Sequence, residues 1–207
     1  MKAILISIKP KYVADILNGR KTIEIRKTMP KCELPIDVYI YCTKEKNKDD
    51  MCFYQSDMFG CEWYGKLVHK VYTPDQHNPI NGKVVAKFTL NKVEEIKSNL
   101  AMRFFTESFN EKELLDKSCL TADELFWYLA PQELKIKCCG YAWHIDNLVI
   151  FNKPKELSEF NHWVFYKKCD ECPYGKCDYD YGLCSQCCEI NPLTKAPQSW
   201  CYVESED

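Results

Sequence analysis

The chain has 207 residues, a formal net charge of −2 and a hydrophobic fraction of 46%. Those values allow one sizeable core with an appendage and exclude a globally basic nucleic-acid binder, so any polyanion site has to be a local patch. The apolar run near the start is too short for a secretory core and nothing approaches the roughly 18 apolar residues of a membrane span, so a cytoplasmic protein is expected.

In chain order, Ala3 to Ile8 (AILISI) reads as one buried strand. Lys9 to Gly19 (KPKYVADILNG) reads as a short helix, with Pro10 in its first turn, Val13, Ile16 and Leu17 at helical spacing, and Gly19 as a stop. Thr22 to Lys27 and Ile36 to Thr43 are further strands. Residues 44–82 are polar and aromatic with loop signals, and are expected to leave the core. Gly82 to Ile96 resumes strand character. Thr121 and Glu124 form a capping box that opens a helix with Leu125, Tyr128 and Leu129 as its stripe. Tyr141 to Phe151 is expected to be the next strand and Pro197 to Glu204 the last. Short strands outnumber helices without strand-helix alternation, which predicts an α+β fold: a small barrel with helices packed at its ends.

The stretch NGRKTIEIRKT (residues 18–28) concentrates charge on one strand. Alternation points Ile23 and Ile25 one way and Thr22, Glu24 and Arg26 the other. A solvated face in which Glu24 pairs Arg26 or Arg20 explains that pattern. A cleft wall explains it as well: Lys9, Lys21 and Arg26 sit at ends of neighbouring elements, where they would hold phosphate. Further on, Trp143 is either core or a wall on which a base stacks, and His144 is read as a hydrogen-bonded strand histidine.

Six of the fourteen cysteines crowd into residues 169–188. Cys169 with Cys172, and Cys184 with Cys187, are two C-x-x-C pairs separated by turn residues, the pattern of two knuckles on one structural zinc ion. Cys177 and Cys188 are rival ligands, and a reactive thiol cluster or an iron–sulfur site would use the same residues. Residues 1–160 are thus expected to form the main barrel, with 44–82 as an excursion. Residues 161–195 would be a zinc-binding insertion, and 196–207 the final strand and tail.

Several segments together, SIKPKYVADILNGRKTIEIRKT, VYIYCTK, GKVVAKFTL, YAWHIDNLVIFNKPKELSEF and APQSWCYVE, resemble the ASCH domain family, and more narrowly its phage and bacterial members. The resemblance implies a PUA-like barrel with a cleft between barrel and helices that takes RNA or a modified nucleotide, in a protein regulating transcription or translation. Some members are ribonucleases, and a small subgroup hydrolyses N4-acetylcytidine with a lysine, a threonine three residues on and a later glutamate. Here Lys21 stands at the lysine position and Glu24 at the nucleophile position, and Ser118 to Leu120 offers no glutamate. Thr22 lies about 6 to 7 Å along the strand, too far to substitute. The resemblance therefore implies a binding protein using Lys9, Lys21, Glu24, Arg26 and Trp143, or a hydrolase in which Lys21 and Glu24 are the candidate catalytic residues.

Overall fold

The computed structural model describes residues 2–44, 53–57, 60–64, 77–98, 103–129, 140–165 and 188–204. A seven-stranded sheet dominates. Its central strands are β1 (Lys2–Ile8), β3 (Ile36–Cys42), β7 (Val84–Leu90) and β14 (Trp200–Glu204). The edges are β11 (Asp146–Lys155) on one side, and β12 (Asn161–Phe165) followed by β13 (Cys188–Pro192) on the other, giving the order β11-β7-β3-β1-β14-β12-β13. β1 runs parallel to β3 and antiparallel to β14. Both faces of this sheet are covered, which is why β1 is a continuous apolar run instead of an alternating one. Ile4, Ile6, Val38, Ile40 and Phe88 meet the helix α1 (Pro10–Leu17) on one side. Ala3, Leu5, Tyr39, Phe160 and Val203 pack together on the other.

A second sheet has the order β2-β10-β8-β9, from β2 (Ile23–Arg26), β10 (Gly140–His144), β8 (Val93–Ser98) and β9 (Phe104–Phe105). Its Ile23, Ile25, Ala142 and Ile96 pack against Leu114 of α2 (Glu111–Ser118) and Leu125 and Leu129 of α3 (Ala122–Leu129). The opposite face carries Trp143 into the core shared with the large sheet.

Two expectations are revised. Among the described residues no barrel closes: β11 and β13 remain ladder edges, and side chains join the two large sheets where a closed ladder would have used backbone. The expected strand Tyr141 to Phe151 is two strands in different sheets. It breaks at Ile145, whose amide donates to Thr22 O at 3.0 Å, and Asn147 takes a left-handed φ of 48°, a conformation asparagine tolerates. Within the expected excursion, β4 (Phe53–Asp57), β5 (Gly60–Tyr64) and β6 (His77–Pro79) form a three-stranded sheet of their own.

β12 and β13, within the expected insertion, also belong to the large sheet. Cys169, Cys172, Cys177, Cys184 and Cys187 lie outside the described residues, and Cys188 begins β13. No helix among the described residues is long and apolar enough to cross a membrane.

Candidate functional site

A cleft of about 1290 Å3 opens where the C-terminal end of β1, the first turn of α1, β2, α3 and the segment 193–199 converge. Lys9, Lys21, Glu24 and Arg26 all line it. Local chemistry explains the convergence. Lys9 caps α1 just after β1 ends. Gly19, at φ 71°, turns the chain back, and the amides of Arg20 and Lys21 both donate to Asp15 O, so β2 starts beside the helix it has just left.

Lys21, Glu24 and Arg26 form one buried ion triad, with 3%, 7% and 7% of their surfaces exposed. Lys21 Nζ lies 3.2 Å from Glu24 Oε2, and Arg26 Nη2 3.0 Å from Glu24 Oε1. Lys21 Nζ also donates to Ser118 O at 2.7 Å, and Tyr12 places its ring centroid 5.4 Å from the ammonium. Arg26 donates through Nη2 to Ser7 O at 2.7 Å and through Nη1 to Ser199 Oγ at 3.2 Å, stitching β2 to β1 and to the segment before β14. Burying three charges is tolerated only because nearly every donor and acceptor has a partner. Arg26 Nε is the exception: it is buried with no hydrogen-bond partner among the described residues. Arg20 does not join the triad. It pairs with Asp15 at 2.7 Å.

The expected solvated row is therefore a buried one, and the expected cleft cations have structural partners. Lys9 differs, because it is exposed at the rim with Lys44 and Lys195. Counting the wall and rim together, Lys9, Lys21, Arg26, Lys44 and Lys195 outnumber Glu24, Glu124 and Glu156, a local positive surplus on a chain of net charge −2.

Of the two readings that the sequence leaves open for Trp143, the stacking wall does not hold and the core does. Trp143 is fully buried, because β10 is paired on both sides and its tryptophan face meets the large sheet, with the Trp200 ring 5.8 Å away. His144 is a strand histidine whose Nε2 lies 2.7 Å from Glu94 Oε2. Thr22 is exposed, and its amide donates to Lys117 O at 2.9 Å.

Three cleft residues escaped the sequence reading: Tyr12, Glu124 and Tyr128. Glu124 accepts from Lys11 Nζ at 2.9 Å and from the Tyr12 hydroxyl at 3.3 Å. The Thr121 backbone amide, then Lys11, holds its carboxyl down at about 2, and Glu124 in turn raises Lys11. Burial pushes the phenols of Tyr12 and Tyr128 up, so both present neutral hydroxyls. The capping box was the legible role of Glu124 and concealed its second one.

This is a mixed β fold with a polar-floored, aromatic-walled cleft at the junction of the first helix and the second strand. The ASCH domain profile matches residues 6–155, most of the chain, and the chain belongs to the ASCH domain family. That family is PUA-like in fold and generally linked to RNA binding. Among solved structures, the chain is similar to the ASCH protein of Zymomonas mobilis, at 16% identity over 75% of this chain and 73% of that one, with a TM-score of 0.44. A mutant of the same Zymomonas mobilis protein matches at 15% identity over 76% and 77%, with a TM-score of 0.41. No curated protein matches.

Proposed function

We propose that the protein binds RNA or a modified nucleotide in this cleft. The observation that carries the reading is a buried, ion-paired Lys21–Glu24–Arg26 floor beneath a rim of exposed lysines, in a chain otherwise close to neutral. The two layers divide the work. Lys9, Lys44 and Lys195 neutralise phosphates, while the buried floor fixes the shape and charge of the cleft beneath them. Both Glu24 oxygens are held by cations, which suits an orienting role better than proton abstraction.

The test is retention of labelled single-stranded RNA at several salt concentrations. Lys9→Ala and Lys195→Ala should each weaken binding relative to an exposed control, Lys112→Ala, and each should flatten the logarithmic salt slope by about 0.7. An unchanged slope in the double variant would place the phosphates elsewhere. Cleavage of the RNA, or deacetylation of N4-acetylcytidine, lost in Glu24→Gln, would make the protein a hydrolase instead.

We also propose that the cysteine-rich segment binds one structural zinc ion through Cys169, Cys172, Cys184 and Cys187. The spacing supports this, and so does the ladder that pairs Phe165 with Cys188, which brings the two ends of the segment together.

A further inference from the structure

Trp127 leaves 77% of its surface in solvent, more than any other large apolar side chain among the described residues. Nothing in the fold of α3 requires a tryptophan there. Leu125 and Leu129 bury the helix, and at 3.6 residues per turn Trp127 stands about 180° round from their stripe. The next residue, Tyr128, turns toward the cleft and lines it, as does Glu124 one turn earlier. The Phe126 ring meets the indole edge-on, with centroids 5.4 Å apart and planes at 79°, so one neighbour already braces it. Lys27 Nζ lies 5.5 Å from the Tyr128 ring, placing a cation beside that phenol.

We infer that Trp127 and Tyr128 form a platform on which unpaired bases of single-stranded RNA stack as the strand leaves the cleft. The inference rests on the reading of the cleft as an RNA site and adds the residues that hold the bases. Charge complementarity selects this occupant. Tyr128 lines the same cleft as the lysine rim, Trp127 stands about 100° from it round the helix, and Lys27 supplies a phosphate contact next to the Tyr128 ring. Indole and phenol faces accept any base, so the platform contributes affinity without demanding a sequence. It takes the stacking role that the sequence offers as one of two readings of Trp143.

Fluorescence anisotropy tests this with two labelled probes of about twelve nucleotides. One is single-stranded RNA and the other has the same backbone with abasic internal positions. Wild-type protein should bind RNA at least about fivefold more tightly than the abasic strand. Trp127→Ala should bind RNA at least about fivefold more weakly than wild type and distinguish the two probes poorly, while Trp127→Phe recovers part of the difference. The indole is exposed, so the melting temperature of Trp127→Ala should match wild type, which separates lost stacking from lost folding. If Trp127→Ala binds RNA as wild type does while Lys9→Ala and Lys195→Ala weaken it, the platform is wrong and the cleft reading survives. If wild type binds neither probe, both fall. A dimer seen by sedimentation and abolished in Trp127→Ala, with RNA affinity unchanged, would make the indole a contact between copies of this chain.

Discussion

At the scale of single residues, the triad couples binding to stability. Glu24→Gln leaves Lys21 and Arg26 buried without their shared counter-charge. Breaking a buried ion pair in this way costs about 3 to 5 kcal/mol, so the variant should melt well below wild type in a thermal scan. Where it stays folded, RNA retention should be equal or stronger, because a charge that repels phosphate is gone. Glu124 gives a second, pH-dependent prediction. Its carboxyl is held at about 2 against an ordinary 4.5, so its contribution is fully present above about 4.5 and disappears as pH falls toward 2. Glu124→Gln should therefore melt lower than wild type near neutrality and show a flatter melting profile between pH 4.5 and pH 2. Parallel profiles would show that Glu124 does not anchor α3. How much of this was legible differs by residue. Alternation correctly put Glu24 and Arg26 on one face and the isoleucines on the other, but it reports direction and not what covers that face. The same blindness applied to Trp143, whose aromatic character fits a core and a cleft equally well.

At the scale of elements, the site depends on short helices as well as on strands. α2 presents Ser118 O to Lys21, and its start is fixed by Asn110, whose Oδ1 accepts from the Glu113 amide at 3.0 Å while its own backbone amide donates to Glu113 Oε2 at 3.1 Å. Asn110→Ala should lower stability by about 1 kcal/mol in denaturant unfolding, the usual worth of such a cap. A loss indistinguishable from zero would mean that tertiary contacts alone define this helix. The sequence reading passed over α2. Its residues EKELLDKS are mostly charged, and only Leu114 and Ser118 are buried, too weak a period to register against its polar surroundings. β1, α1, β2, β3 and α3 were legible because each carries its own signal: a branched run, a proline start with a glycine stop, a strict alternation, or a capping box. The break at Ile145 was not, since β10 and β11 are both rich in strand-formers, and what separates them is a tertiary hydrogen bond to Thr22 O. Barrel closure failed for a similar reason, because strand count and length do not determine which edges meet.

At the scale of the whole molecule, the question is whether the cysteine-rich segment and the sheet it leaves stand or fall together. The sheet has its own core: among the described residues Ala3, Leu5, Tyr39, Phe160 and Val203 pack together and are almost completely buried. Its connection to that segment is the hairpin-like pairing of β12 with β13, which β14 meets through His162 and Val203. Zinc bound by two C-x-x-C knuckles would close a loop whose ends are already held, so losing the metal should release the loop and fray the β12–β13 edge first. Cys184→Ser is thus expected to reduce zinc content from about one ion per chain to near zero in elemental analysis, as four thiolates on one ion require. Hydrogen exchange should quicken in β12 and β13 and remain slow in β1, β3 and β7. RNA affinity should change little, since the described residues that line the cleft come mainly from β1, α1, β2, α3 and the segment 193–199, not from the β12–β13 edge. Global unfolding of the variant would show that the edge and the central strands form one cooperative unit, and wild-type protein free of zinc yet protected in β12 and β13 would remove the metal from the account.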